Sequence, residues 1–349
     1  DKPKNIIAVT GTNGKSSVAD FFHQILTANS IPVATIGTLG IKKNKKIKKI
    51  NLTSPNIILL HRELAELKKN KIDNVIMEAS SHGLHQKRLN EINIKAGIFT
   101  NFSQDHLDYH KTMKNYFNSK MILFKKLIKT NKYIITDKEI KEFYELKKIA
   151  KKTKIKILTI DNSLLEKYRK ITGLIGSFQI KNLLMSILAA KLCGINEKQI
   201  LNSLKKIKPV NGRLEPVRNL PNQVKIFLDY AHTPDALLTV LKSLKSFYKN
   251  DLILVFGCGG ERDTKKRGLM ANIANKFCSK IYVTDDNPRK ENPKKIRGEI
   301  IRNLQKKNYI EIASRKKAIK TAIRNLTANE TLVVAGKGHE NFQNYGKKI

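Results

Sequence analysis

At 349 residues the chain is long enough for two domains, each able to bury a core of its own. Its 68 lysines and arginines against 29 acids give a formal charge of +39, but the cations are spread along the chain and only IKKNKKIKKI (41–50) is dense. That run has no aromatic interleaving and no nucleic-acid motif, so the charge reads as solvated surface that can steer anionic substrates, and no nucleic-acid partner is expected.

No apolar run approaches the roughly 18–20 residues of a membrane span, and no signal-peptide pattern opens the chain. Cys193, Cys258 and Cys278 form no CxxC pair and no even framework, which fits a reducing, cytoplasmic setting. The first residue is Asp1 and a strand follows almost at once, so the expectation is an internal piece of a longer, monomeric protein with a segment upstream.

In chain order, NIIAVT reads as a buried strand and KSSVADFFHQILTAN as a helix. IPVATIGT is a strand, SPNIILLHRELAELKKN a helix with Pro55 near its start, and IDNVIME and IKAGIFTN are strands. MKNYFNSKMILFKKLI is a helix, KYIITD and KIKILTI are strands, and NLLMSILAAKLCG is an apolar helix closed by Gly194. Pro, Asn and Gly in KIKPVNGRLEPV suggest a boundary, giving domains 1–207 and 208–349. Beyond it KIFLDYA, DLILVFGCGG, KIYVTDD, YIEIAS and ETLVVAGKG are strands, with DALLTVLKSLKSFY a helix after the first and further helices on either side of YIEIAS. The expected fold class is α/β: a phosphate-loop domain with a mostly parallel sheet, then a Rossmann-like α/β domain.

VTGTNGKSS (9–17) follows the first strand and opens the first helix. Backbone amides at a helix N-terminus bind anions, and glycines let the backbone approach phosphate. Lys15 would reach the β and γ phosphates and Ser16 would hold Mg²⁺, although the loop is shorter than a full Walker pattern. Glu78 ends a neighbouring strand, well placed for Mg²⁺ beside phosphates. FTNFSQDHLDYH brings Asp105, His106, Asp108 and His110 to the end of another strand, a candidate metal site or a solvated turn. His23, His61 and His85 read as structural or exposed.

The loop GTNGKSS resembles the ATP loop of the Mur ligase family, the peptidoglycan amino-acid ligases, which share it with folylpolyglutamate synthases. The resemblance implies ATP held by Gly11, Thr12, Asn13, Gly14, Lys15, Ser16 and Ser17. EASSHGL and TNFSQDHLDYH are similar to further family motifs, which would make Glu78 and His106 Mg²⁺ ligands. Lys120, in NSKMILF, matches the lysine that the family carbamylates to support a second Mg²⁺. LTSP with Thr53 and Ser54, together with Ser80, Gln86 and Arg88, matches positions that hold the UDP-MurNAc-dipeptide; Ser54 stands where relatives usually carry threonine. NGRLE and DYAHTPDAL resemble nucleotide-clamping segments, so Arg213 would neutralise phosphate and Asp229 would hold ribose. Asn182 resembles a nucleotide-contacting asparagine, while Gln179 replaces the asparagine usual in Gly-x-Phe-Asn.

FGCGGERDTKKRGLMA, DDNPR and AGKGHE fall at the ends of successive strands, where open parallel sheets bind ligands. Pro288 would fix a turn from which Arg289 presents a planar fork suited to a carboxylate. DDNPR resembles the form found in family members that accept meso-diaminopimelate; lysine-adding relatives carry a different tetrapeptide without the arginine. The physics agrees, because diaminopimelate has a distal carboxylate that lysine lacks. The same matching gives Arg262, Asp286, Asn287, Gly336 and Glu340 to the amino-acid pocket, with Glu340 on the distal ammonium group.

The implied activity is ATP-dependent ligation of meso-diaminopimelate to UDP-MurNAc-dipeptide through an acyl phosphate, with domain closure joining the two. Arg289 argues against a lysine-adding paralogue, and EASSHGL with DDNPR argues against a folylpolyglutamate synthase. A non-catalytic anion-binding fragment is the alternative outside enzymes. The family's uridine-nucleotide domain is missing from this stretch, the segment between KILTI and GSFQI is short, and the chain stops soon after AGKGHE. As it stands, the chain is expected to bind ATP but to ligate poorly.

Overall fold

A computed structural model of the chain describes residues 1–43, 46–219, 223–305 and 308–346. They divide into two compact units, residues 1–103 with 112–208, and residues 104–111 with 209–349.

The first unit is built on β1 (Asn5–Thr10), β2 (Val33–Gly37), β3 (Gly40–Lys43), β4 (Lys46–Lys48), β5 (Asn74–Glu78), β6 (Ala96–Phe99), β7 (Tyr133–Thr136) and β8 (Lys156–Thr159). Their order in the sheet is β4-β3-β2-β5-β1-β6-β7-β8. β1 is buried along its whole length and pairs in parallel with both β5 and β6, as a continuous apolar strand in a covered parallel sheet should. The helix Lys15–Ala28 follows β1, and the Ser186 hydroxyl of helix Ser177–Leu192 donates to the Val18 carbonyl at 2.9 Å.

The second unit holds β9 (Glu215–Asn219), β10 (Lys225–Asp229), β11 (Asp251–Phe256), β12 (Cys278–Val283), β13 (Tyr309–Glu311) and β14 (Glu330–Ala335), ordered β13-β12-β11-β14-β10-β9. β10 through β14 run parallel, and β9 joins the edge antiparallel. The chain leaves β10 for β11 across the position that β14 later fills. Loops after β10 and β11 therefore diverge at the carboxyl edge, the crevice where such sheets bind ligands.

Both units are α/β with mostly parallel sheets, and the differences from expectation have local causes. Helix Ile57–Lys69 starts after Pro55, because Asn56 caps it by accepting from the Leu59 amide at 2.9 Å. The helix expected over 113–128 is α-helical over Met113–Ile122 and continues as a π turn, Leu123–Leu127, whose extra residue keeps both Leu123 and Phe124 buried. The charged run at 41–50, of which residues 44 and 45 lie outside the described residues, contributes to β3 and β4 at the sheet edge. There Lys42 pairs with Asp20 at 2.9 Å and Lys48 with Glu63 at 2.5 Å. The helix Lys266–Phe277 was not expected, because it buries Lys266 and Arg267, which a pattern of apolar residues cannot count. Arg267 is paired with Glu291 at 2.8 Å and Glu299 at 2.6 Å. Among the described residues no single helix is long and apolar enough to cross a membrane.

Gly97 on β6 lets the following helical segment lie flat on the sheet. A Cβ there would fall 2.4 Å from Ile128 Cδ1 and 2.8 Å from Phe124 Cε1, both in the core. Gly97→Ala is expected to destabilise the protein by about 1–3 kcal/mol through overpacking. Urea unfolding monitored by circular dichroism checks this; a change under about 0.5 kcal/mol would mean that the helix shifts freely.

Candidate active site

In the first unit the loop between β1 and Lys15–Ala28 is shaped by two glycines with positive φ, Gly11 at 144° and Gly14 at 88°. A segment leaving β6 pins it. Asn101 accepts from the Thr12 amide through its carbonyl at 3.0 Å and from the Asn13 amide through its side chain at 2.9 Å. The Thr100 hydroxyl donates to the Asn13 carbonyl at 2.6 Å, and a Cβ on Gly11 would collide with that hydroxyl at 1.9 Å. Thr12 Oγ1 bonds the Ser103 backbone at 3.0 and 3.1 Å. The helix that follows has no side-chain cap, and its first turn carries the amides of Lys15, Ser16 and Ser17. Asn182 packs directly on the loop, since a Cβ on Gly14 would lie 2.6 Å from Asn182 Oδ1.

Lys15 folds back over the loop, donating to the carbonyls of Gly11 at 2.9 Å and Thr12 at 2.8 Å. From below, the almost fully buried Lys120 donates to the same Gly11 carbonyl at 2.8 Å and lies 4.3 Å from the centre of the Tyr116 ring. The two lysines singled out in the sequence thus converge on one carbonyl. The Thr10 hydroxyl, at the root of the loop, is buried without a hydrogen-bond partner among the described residues.

Glu78 closes β5, and the parallel register sets it opposite Val9, beside the start of the loop. Its buried carboxylate accepts from the Thr38 amide at 2.8 Å and the Thr38 hydroxyl at 3.0 Å. Gly37 leaves the space, since a Cβ there would meet Glu78 Oε1 at 2.3 Å. Among the described residues no three His, Cys, Asp or Glu side chains group as a ready metal centre. Mg²⁺ commonly takes one or two carboxylates and completes its octahedron with waters and phosphate oxygens. The Ser16 hydroxyl and the Glu78 carboxylate suit it as hard oxygen donors.

Beside Glu78 the structure gathers the expected substrate group. Thr53 and Thr38 share a hydroxyl contact at 3.1 Å, and Ser54 donates to the Glu78 carbonyl at 2.8 Å and contacts Ser80 at 3.0 Å. Arg88 donates to the Ser54 carbonyl at 2.8 Å and to the Gln86 side chain, and it has no ion pair among the described residues.

In the second unit a cavity of about 140 Å³ opens at the carboxyl ends of β10, β11, β12 and β14. His106, Arg262, Asp286, Asn287, Arg289, Gly336 and Glu340 all line it, as do Asp105, Tyr230 and His232. His106 therefore belongs to this unit and lies 3.4 Å from the Asp105 carboxylate; His232 lies 3.6 Å from the same oxygen. Burial opposes the Asp105 charge, but the His232 hydrogen bond and the charges of His106, His232 and Lys266 hold its carboxyl well below the usual range.

Arg289 occupies a left-handed conformation with φ of 53°, held by its own amide donating to the Asn344 carbonyl at 2.9 Å. Its guanidinium donates to the Gly260 carbonyl at 2.7 Å and has no ion pair among the described residues. Burial and the nearby charge of Arg262 lower its pKa. Arg262 itself pairs with Asp108 at 3.1 Å. The neighbouring glycines admit the turn: a Cβ on Gly260 would lie 2.1 Å from the Pro288 carbonyl.

Glu340, which also lines the cavity, accepts from Lys337 at 2.6 Å, Tyr230 at 3.1 Å and Asn287 at 3.2 Å. Asp286 Oδ2 is buried without a hydrogen bond among the described residues and lies 4.0 Å from Arg315, whose pKa burial lowers.

Arg213 stacks over the Tyr230 ring at 4.2 Å. Asp229 is buried, with its oxygens accepting from the Leu214 amide at 2.5 Å and the Ala231 amide at 2.6 Å. Burial raises its pKa against the Arg213 charge and those two bonds. The side chain expected to hold ribose is thus committed to fixing the loop that carries Arg213.

Sequence reasoning passed over Thr38, Thr100, Asn101, Tyr230, Arg315 and Lys337. Thr100 and Asn101 lie inside a motif that was noticed for its histidines and acids alone.

Two family models cover most of the chain: the Mur ligase middle domain over residues 9–190, and the Mur ligase glutamate ligase domain over residues 212–338. The UDP-N-acetylmuramoyl-L-alanyl-D-glutamate–2,6-diaminopimelate ligase of Rickettsia conorii is 42% identical over 374 residues, covering 99% of this chain and 77% of the relative. The enzyme of the same name from Rhizobium meliloti is 37% identical over 367 residues, covering 99% and 75%. A solved structure of a ligase with that name aligns with a TM-score of 0.65 at 32% identity, covering 99% of this chain and 75% of that one. A bifunctional folylpolyglutamate synthase/dihydrofolate synthase from Yersinia pestis aligns with a TM-score of 0.77 at 15% identity, covering 97% and 87%, a likeness of fold alone. With its phosphate loop, its acidic strand end and its charged pocket in family order, the chain belongs to the Mur ligase family.

Proposed function

We infer that the chain is an ATP-dependent amide-bond ligase that joins meso-diaminopimelate to UDP-MurNAc-L-Ala-D-Glu in peptidoglycan precursor synthesis. One observation carries the amino-acid specificity. The Arg289 fork, which has no ion pair among the described residues, lines the second unit's cavity together with the carboxylates Asp286 and Glu340. A diamino acid with two carboxylates satisfies both signs of charge. Lysine would leave a half-buried guanidinium without its carboxylate, and such a site rejects the analogue that lacks the group.

The reaction runs in two steps. The γ-phosphoryl group of ATP passes to the terminal carboxylate of the dipeptide, giving an acyl phosphate and ADP. The amine of diaminopimelate attacks the acyl carbon, a C–N bond forms, the C–O bond to phosphate breaks, and the amine proton is released. The first-turn amides and Lys15 bind the phosphates, with Lys15 exchanging its loop carbonyls for phosphate oxygens. Thr53, Ser54, Ser80, Gln86 and Arg88 hold the dipeptide, Arg88 taking an anionic group. Asn182 and Arg213 serve the nucleotide. Mg²⁺, bound through Ser16 and Glu78 with carbamylated Lys120 as a further candidate ligand, would neutralise charge on the transferring phosphoryl group. The three free cysteines agree with a cytoplasmic site of action, where a uridine-nucleotide precursor is made.

Phosphate release by the complete gene product, with ATP and UDP-MurNAc-dipeptide, tests the specificity. Release is expected with meso-diaminopimelate and not with L-lysine, and Arg289→Ala should lower kcat/KM for diaminopimelate by at least about 100-fold. Equal release with lysine would make Arg289 a structural residue. No release with either amino acid would remove the activity itself.

Carbamylation of Lys120 joins its nitrogen to the carbon of CO₂ with loss of a proton. In ¹³C-bicarbonate, wild-type protein should show a carbamate carbonyl resonance that Lys120→Arg lacks. An active wild type without that resonance would exclude the carbamate.

A further inference from the structure

Lys337, within AGKGHE but given no role there, is buried to 6% exposure two residues beyond β14. Its ammonium group donates to Glu340 Oε2 at 2.6 Å and to Asn287 Oδ1 at 2.8 Å, and it lies 5.1 Å from the centre of the Phe342 ring. Both polar partners line the amino-acid cavity.

Two consequences follow from the donor inventory. Asn287 Oδ1 also accepts from the Asn344 amide at 2.9 Å, so two donors fix which end of the amide is oxygen. The Asn287 amino group must then face Glu340, where it donates at 3.2 Å. Glu340 is half-buried and lines the cavity together with the Arg289 guanidinium. Its carboxyl stays below the usual range: burial opposes ionisation, and Lys337, with smaller help from Asn287 and Tyr230, outweighs it. Without Lys337 the cations left to attract this carboxylate are Arg289 and Arg315, whose charges Glu340 already favours. An acid turned onto Arg289 would occupy the fork that reads the distal carboxylate, and it would leave no anion for the ammonium group.

We propose that Lys337 is a positioning residue of the amino-acid pocket: it holds Glu340 and Asn287 in the orientation that receives the substrate's ammonium group, and it keeps Glu340 from pairing with Arg289. The inference deepens the diaminopimelate reading and rests on it. A merely structural lysine would lower stability without selecting one substrate; a positioning lysine changes the recognition of the amino acid alone.

Steady-state kinetics of the complete gene product tests this with Lys337→Met, Glu340→Gln and the double variant. Lys337→Met should raise KM for meso-diaminopimelate at least about 10-fold while kcat falls less than about 3-fold and KM for ATP stays constant. In the Glu340→Gln background, adding Lys337→Met should cost little more, because the two act as one unit. If Lys337→Met does not fold, Lys337→Gln retains a donor to Asn287 without the charge and should show a smaller rise in the same KM. An active wild type whose KM for meso-diaminopimelate is unchanged by these variants, or a double variant whose losses multiply, would overturn the role of Lys337 alone. A wild type that ignores meso-diaminopimelate would overturn the parent reading, and this one with it.

Discussion

The register of β1 between β5 and β6 is the constraint on which the first unit depends. Parallel pairing sets Val9 opposite Glu78 and Thr10 opposite Phe99. The loop after β1 therefore emerges with a carboxylate on one side and Thr100 to Ser103 on the other. A slip of one residue would turn every side chain of β1 to the opposite face, and the strand is buried along both. Because register is so strongly specified, the loop's hydrogen bonds to Asn101 and Thr100 need no adjustment when a phosphate arrives. That is pre-organisation in the sense that matters for charge stabilisation: the dipoles are in place before the charge develops.

The second unit applies the same rule with a different cargo. Its strands end in turns that carry whole functional groups, and the order β12-β11-β14-β10 brings four of those turns to one cavity. The cavity holds cations and carboxylates together, which would be self-defeating if they were free to pair. Backbone carbonyls prevent this by occupying Arg289, and buried cations hold the acids: Lys337 on Glu340, Arg315 near Asp286. A buried charge held by a partner of its own leaves its outer face for a ligand. The Arg267 cluster plays a supporting part, as its contacts with Glu291 and the Gly259 carbonyl at 3.4 Å tie the turn after β12 to the turn after β11.

Much of this was legible in the sequence where the chemistry is local. Gly11 to Ser17 form their loop from adjacent residues, Glu78 ends a run of apolar residues, and Pro288 with Arg289 marks a turn by composition alone. What was not legible acts across the chain. Thr38 reaches Glu78 forty positions away and Thr100 reaches Asn13 eighty-seven positions away, and no periodicity encodes either pair. Lys337 stands inside AGKGHE, but that stretch was read for Gly336 and Glu340, and the burial of the lysine between them is not written in the motif. Asp229 shows a second role that the motif did not reveal: its carboxylate accepts from two backbone amides. His106, matched with Glu78 through the family motifs, lies in the second unit and lines its cavity, a placement that no local pattern encodes.

The central claim is that the second unit's cavity selects a zwitterionic diamino acid by opposing charges at fixed places. A crystal structure of the complete gene product with ADP and meso-diaminopimelate addresses it most directly. The expected density places the distal carboxylate against the Arg289 guanidinium and the distal ammonium group against Glu340, with Lys337 still on the far side of that carboxylate. Diaminopimelate bound elsewhere, or bound here with its distal carboxylate turned away from Arg289, would contradict the assignment.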